Sequence, residues 1–279
     1  MDDSLARIRR VYDRDPEREW ARLTRGAQNQ LEYLVTTFTL ERYLPPPTEL
    51  GPILDAGGGP GRYTILLAQR GYRLTLFDLS PGLLDLGKRR IQEAGEGVER
   101  HVDAVIEGSF TDLSAFPDSK FSAVLCLGGA FSHASTASER RQAMFELCRV
   151  LKPDGLLFLN ALNYIGALRA VAQWWPDERT IEIFHELYAG QTTDIVDGAP
   201  AYFFYPEEFV ELLTGAGLTV VALYGAEGIG SHLQEEHLLA LIEDRNVWPK
   251  WRDVLLKTAD HPSVIGCSRS LLAVARRSP

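Results

Sequence analysis

The chain has 279 residues, 45% of them hydrophobic and 24% charged, an ordinary composition for one large α/β domain with insertions or for two small domains. Its formal net charge of −9 argues against a general nucleic-acid binder, and the basic runs Arg7–Arg10 and Lys88–Arg90 sit among acids as solvated helix faces do. Three scattered cysteines without CxxC spacing, a start "MDDSLARIRR" without an apolar core, and no apolar run near the roughly 20 residues that span a bilayer predict no disulfide framework, no metal site and a soluble, cytoplasmic protein.

Residues 4–43 read as helices, with Leu31, Leu34, Val35, Phe38 and Leu40 at mostly helical spacing, and Pro45, Pro46 and Pro47 stop them. A strand over Pro52–Ala56 follows, then a helix over Tyr63–Arg70 that ends at Gly71. Arg73–Asp78 is a second strand. Pro81–Ala94 is a helix with Ser80 as its N-cap and proline at its first position. Val102–Glu107 and "FSAVLCLGG" are the next strands, Ser138–Val150 a helix and "GLLFLNAL" a fifth strand. This alternation predicts a parallel sheet covered on both faces. It breaks over 163–205, which carries Tyr164, Trp174, Trp175, Phe184, Tyr188, Tyr202, Phe203, Phe204 and Tyr205. It resumes with the helix "PEEFVELLTGAGL" and the strand "TVVALYG", a helical stretch from Leu233 to Lys257, and the closing strand "SRSLLAVARR".

The turn after the first strand reads Asp55-x-Gly57-x-Gly59-x-Gly61. Glycines there let a ligand approach backbone at a helix start, where free N–H groups carry partial positive charge. The third glycine of a dinucleotide fingerprint would fall on Arg62, which is bulky, and Asp55 would repel a pyrophosphate. The acid suits a ligand bearing an ammonium group instead.

On these residues the chain resembles the class I S-adenosylmethionine-dependent methyltransferases. The glycine turn resembles their motif I. "LTLFDLSPGLLDLGKRR" resembles their second strand and helix, "GSFTDLSAF" the adenine-bordering segment, "FSAVLCLGGAFSH" the fourth strand, and "RVLKPDGLLFL" the fifth. "EEFVELLTGAGLTVVALYG" and "SRSLLAVARR" resemble the last helix and the final two strands. The resemblance implies a doubly wound α/β fold: a seven-stranded, mostly parallel sheet with the last strand antiparallel. The methyltransferase domain would cover 48–162 and 204–279, with an N-terminal helical cap over 1–47 and an aromatic-rich lid over 163–203. It implies S-adenosyl-L-methionine as cofactor and S-adenosyl-L-homocysteine as product. The implied cofactor contacts are Asp55, Gly57, Gly58, Gly59, Gly61, Asp78, Leu79, Ser109, Phe110, Leu127 and Tyr12, with Asp78 on the ribose. Many relatives carry an acid at the place of Ser109, so Phe110 takes more of that binding here.

The acceptor is expected to be a small molecule, with no nucleic acid and no membrane, on a monomer or homodimer. After the fourth strand, "LGGA" stands where relatives that methylate nucleobase amino groups carry an Asn/Asp-Pro-Pro-aromatic motif. His133 is the titratable side chain in that loop and the candidate catalytic base; with Trp20, His185 and Tyr202 it makes up the candidate acceptor site. His232 and His237 read as exposed. A nicotinamide-dependent oxidoreductase and a non-catalytic cofactor sensor are the competing readings.

Overall fold

The computed structural model describes residues 3–174, 178–196 and 198–279; Trp175 lies outside them. Seven strands form one sheet: β1 (Ile53–Ala56), β2 (Leu74–Asp78), β3 (Val102–Glu107), β4 (Phe121–Cys126), β5 (Leu151–Leu162), β8 (Leu218–Gly225) and β9 (Ser270–Arg277). Their order is β3-β2-β1-β4-β5-β9-β8, and β9 runs antiparallel to both neighbours. The central parallel strands are buried on both faces: β1, β2 and nearly all of β4, while the edge strand β3 is partly exposed.

The helices in chain order are α1 (Asp3–Asp13), α2 (Pro16–Arg22), α3 (Ala27–Tyr43), α4 (Arg62–Gln69), α5 (Pro81–Glu93), α6 (Glu96–Glu99), α7 (Ala137–Val150), α8 (Tyr164–Trp174), α9 (Glu178–Gly190), α10 (Pro206–Gly215), α11 (Glu235–Glu243), α12 (Trp248–Thr258) and α13 (Pro262–Cys267). Their starts are chemically marked. Asp15 caps α2, Ser80 caps α5, and Thr136 with Glu139 forms a capping box on α7. The helical stretch expected over 233–257 is two helices. The Asp244 carboxylate accepts the N–H groups of Asn246 and Val247 in a turn, and Pro249 starts α12.

Two apolar cores lie on the two faces of the sheet. One joins Leu31, Val35 and Leu40 of α3 to Ile53, Leu74, Leu125 and Phe158. The other joins Leu54, Phe121, Leu157 and Leu271 to Leu147 of α7 and Phe209 of α10. The 163–203 insertion is α8 and α9 plus the hairpin of β6 (Thr192–Val196) and β7 (Ala199–Tyr202), around a small core of Tyr164, Val171, Leu187 and Phe203. Its two ends meet on the sheet: Phe204 N donates to Leu162 O and Tyr164 N to Phe204 O. Among the described residues no helix is long and apolar enough to cross a membrane.

Helix α1 is strapped across the carboxyl ends of β2 and β3. Asp13 Oδ1 accepts from Ser80 Oγ (2.5 Å) and from Gly82 N (3.0 Å) at the start of α5, and Arg9 pairs with Glu107 at 2.9 Å. In the basic runs Arg7, Arg10, Lys88 and Arg89 are exposed, as on a solvated helix face, while Arg9 pairs with Glu107 and Arg90 reaches Glu17 on α2.

Candidate active site

The sheet order reverses between β1 and β4, where an open α/β sheet leaves a crevice beyond its carboxyl ends. A cleft of about 1040 Å³, mouth included, lies there. The glycine turn forms its floor. Gly57, Gly59 and Gly61 all have left-handed φ values, +72°, +56° and +78°. The turn is tied to β2 by Gly57 N and Gly58 N donating to Phe77 O. The glycines serve different ends. A Cβ on Gly57 would come within 2.8 Å of Ala130, and one on Gly58 within 2.6 Å of the Asp55 carboxyl carbon. A Cβ on Gly59 would meet only Leu83, at 3.8 Å, so it would project into the cleft. Gly61 is the N-cap of α4 and does not line the cleft.

Two carboxylates flank this floor. Asp55 is fully buried; its Oδ2 accepts from Thr64 Oγ1 at 2.6 Å, and its Oδ1 has no partner among the described residues. Asp78 accepts from Gly59 N and Ser80 N, each at 2.8 Å, so it fixes both the turn and the start of α5. Burial pushes both carboxyls up to about 6, against the pull of those hydrogen bonds. An orphaned carboxylate oxygen, a glycine whose absent Cβ leaves room, and a second acid at the end of the neighbouring strand fit a ligand with an ammonium group and a diol.

The other walls come from Leu79, Ser109, Phe110, Leu127 and Ala130, and from Leu5, Ile8 and Tyr12 of α1. Phe110 stacks on Phe131 with ring centroids 6.3 Å apart. Ser109 turns its hydroxyl back into its loop, where Oγ lies 2.7 Å from Thr111 Oγ1 and accepts from Thr111 N at 3.2 Å.

His133 also lines this cleft and is buried. Its Nδ1 lies 2.8 Å from Pro200 O, a pure acceptor, so Nδ1 carries a proton. Its Nε2 lies 2.6 Å from the Tyr12 hydroxyl. Burial lowers the imidazole pKa, so the neutral ring accepts the Tyr12 O–H at Nε2. A bond linking the β4 loop, α1 and the hairpin is not legible in any local pattern, because 121 residues separate Tyr12 from His133.

The structure does not bring Trp20, His185 or Tyr202 to the cleft. The Trp20 ring is held between Arg62 and Arg90, 4.1 and 5.1 Å from its centroid. His185 is exposed on α9. Tyr202 is buried under Arg140, 3.4 Å from its ring, with its hydroxyl on Glu208. His237 is exposed, whereas His232 is half-buried, and desolvation pushes its imidazole down to about 4.

A second cavity, about 1390 Å³ with its mouth, adjoins the first and shares Tyr12, Glu19, Arg22 and Gly128 with it. Arg22 stands at the junction. It pairs with Glu19 at 2.7 Å and Glu32 at 3.1 Å, and Nη2 donates to Gly128 O at 3.4 Å. Burial opposes its charge, but Glu19 and Glu32 outweigh this and hold the guanidinium protonated. The left-handed φ of +67° favours glycine at Gly128, and a Cβ there would lie 2.6 Å from Arg22 Nη2, so the guanidinium would have to move.

The raised carboxyls make a pH prediction. Ligand ammonium and hydroxyl groups need the ionised forms of Asp55 and Asp78. Cofactor affinity, followed by calorimetry, should be flat above about pH 7. It should fall below pH 6, where each carboxyl takes up its proton, by about tenfold per unit for each group. In the unbound protein the sign is opposite. A raised carboxyl pKa means the folded state holds the proton more tightly, so these two groups cost stability as pH rises from about 4 to 6.

Residues 53–155 match the family described as a methyltransferase domain. Over 115 residues the chain is 33% identical to the glycine/sarcosine N-methyltransferase of Parasynechococcus marenigrum, 40% of this chain and 38% of that protein. The chain matches between 20% and 41% of the lengths of the glycine relatives it resembles. It is 25% identical to the tRNA 5-carboxymethoxyuridine methyltransferase of Escherichia coli over 75% of this chain and 76% of that one. A solved S-adenosylmethionine-dependent methyltransferase of Methanosarcina mazei shares the fold with a TM-score of 0.55 at 19% identity, covering 86% of this chain and 97% of that chain. Residues 53–155 thus carry the sequence pattern of a methyltransferase domain, and the glycine turn, the two acids and the β3-β2-β1-β4-β5-β9-β8 sheet sit in the fold of the solved S-adenosylmethionine-dependent methyltransferases.

Proposed function

We propose that the protein methylates a small-molecule acceptor, with the cofactor in the first cleft and the acceptor in the second cavity. The single observation that carries this reading is the junction of the two spaces at Tyr12, Glu19, Arg22 and Gly128. In this reading 48–162 and 204–279 form the cofactor domain, while 1–47 and 163–203 wall in the acceptor. S-adenosylmethionine, when bound, supplies a sulfonium methyl open to in-line displacement. The residues that would hold it are Asp55 at the ammonium end, Gly57 to Gly59 beneath it, Asp78 at the ribose, and Leu79, Phe110 and Leu127 beside the adenine.

The chain's own chemistry is positioning and proton transfer. Helix α1 and the insertion exclude water, and an enclosed acceptor held in line gains much of its rate from orientation. The Tyr12 oxygen takes the acceptor's proton while the Tyr12 proton passes to His133 Nε2, leaving an imidazolium beside Glu19. Because burial weakens His133 as a base, the proton it takes must be an acidic one. That favours a nitrogen acceptor, whose N–H turns acidic as the methyl is added.

The test is turnover to S-adenosylhomocysteine against a panel of small amines, amides and N-heterocycles, with bulk tRNA as a separate arm. Turnover with a small acceptor supports the reading. Turnover with tRNA alone replaces it.

A further inference from the structure

Asn160 is a buried polar side chain that the fold leaves without a partner among the described residues. It lies near the carboxyl end of β5 and is 1% exposed, and neither Nδ2 nor Oδ1 has a partner among the described residues. It lines the second cavity with Arg22, Gly129, Leu162, Val171 and Phe203. Buried amides are nearly always hydrogen-bonded, so an orphaned donor and acceptor on one side chain point to a missing partner.

The surroundings are built to keep that amide reachable. On the same face of the sheet, Asn160 pairs across with Leu272 of β9, and Ser270 lies two residues along. Ser270 gives both its hydroxyl (2.8 Å) and its N–H (3.1 Å) to Glu227, which also accepts from Ser268 Oγ at 2.8 Å. Glu227 is thereby held by Ser268 and Ser270 and makes no hydrogen bond to Asn160. On the other side, a Cβ at Gly129 would stand 4.0 Å from Asn160 Oδ1 and 3.6 Å from Leu162 Cδ2. Glycine with a φ of +82° leaves that approach clear. Leu162, Val171 and Phe203 face the space with apolar surface.

We propose that Asn160 reads the methyl acceptor, and that the acceptor presents a hydrogen-bond donor and acceptor on adjacent atoms: a carboxamide, a lactam or the N–H/C=O edge of a planar heterocycle. This rests on the methyltransferase reading above and names the substrate class of that same site. The primary amide of Asn160 is complementary to such an edge at both of its atoms. A carboxylate offers acceptors only and would leave Oδ1 orphaned. An ammonium offers donors only and would leave Nδ2 orphaned. The apolar surface from Leu162 of β5 and from Val171 and Phe203 of the insertion suits the flat face of the same group.

The experiment is calorimetry on the full chain saturated with S-adenosylhomocysteine. The probes are nicotinamide, uracil, hypoxanthine and 2-pyridone, with glycine and sarcosine as the contrasting arm, on wild type, Asn160→Leu and Asn160→Asp. The expected result is that at least one amide or lactam binds wild type and loses tenfold or more in affinity in both variants, while S-adenosylhomocysteine affinity is unchanged. Asn160→Leu should also melt no lower than wild type, because it removes an unpaired buried amide and nearly keeps the volume. A lower melting temperature would mean the amide is satisfied inside the fold, and would overturn the proposal. So would binding of glycine or sarcosine that Asn160→Leu leaves intact, or a protein that takes S-adenosylhomocysteine but none of the four probes. Failure of wild type to bind S-adenosylhomocysteine at all would instead bring down the methyltransferase reading, and this proposal with it.

Discussion

His133→Ala is expected to slow turnover by roughly 100-fold or more while leaving cofactor affinity within a factor of about two. The reason is the direction of the Tyr12–His133 bond. Nδ1 is committed to Pro200 O, so Nε2 is the basic atom that can receive the Tyr12 proton. Alanine removes that base and also frees the Pro200 carbonyl, so the hairpin could shift. Two further variants separate these effects. His133→Gln can still donate to a carbonyl but has no basic nitrogen; it should be as slow as alanine. Tyr12→Phe keeps the ring and the packing of α1 but loses the hydroxyl, and should match both in kcat. If Tyr12→Phe and His133→Gln turn over at the wild-type rate, catalysis rests on placement of the acceptor alone.

Asp78→Ala should weaken S-adenosylmethionine binding by tenfold or more, measured by calorimetry at pH 7.5. One lost charge-assisted hydrogen bond is worth roughly 1.5–3 kcal/mol, which is at least a tenfold change. The loss has two sources, since Asp78 would hold the ribose and already holds Gly59 N and Ser80 N. Asp78→Asn tells them apart. The amide oxygen can keep one backbone N–H but not both, and it carries no charge. An affinity equal to wild type in both variants would remove Asp78 from the cofactor site.

The cofactor floor was legible because its constraints are local. Positive φ at alternate positions demands glycine, and Ser80 followed by Pro81 announces a helix within two residues of Asp78. The parallel sheet followed from the alternation of strands and helices, whereas its antiparallel closing strand followed only from the family resemblance. What lines the second cavity was not legible. Arg22 meets Gly128 across 106 residues, and Asn160 sits inside an apolar strand where it reads as a minor blemish. Aromatic type misled at Trp20 and Tyr202, because a ring next to arginines serves equally well as their platform. Residue type indicates which chemistry is available; only the fold decides which of two faces a side chain serves.

The place of β9 between β5 and β8 bears on how the protein is made. Strands β3 through β5 can assemble as soon as they leave the ribosome, each beside a neighbour already synthesised. Strand β8 has no such neighbour: its partner in the sheet is β9, which is translated after it and after α11, α12 and α13. Until then the flank of β5 and the whole of β8 stay as bare edges, open to wrong pairing. Ser270, whose hydroxyl and amide orient Glu227 in the second cavity, arrives with the same strand. A nascent chain stalled before β9 should therefore hold a nearly complete cofactor floor beside an unfinished acceptor wall, and should be the species on which chaperones act.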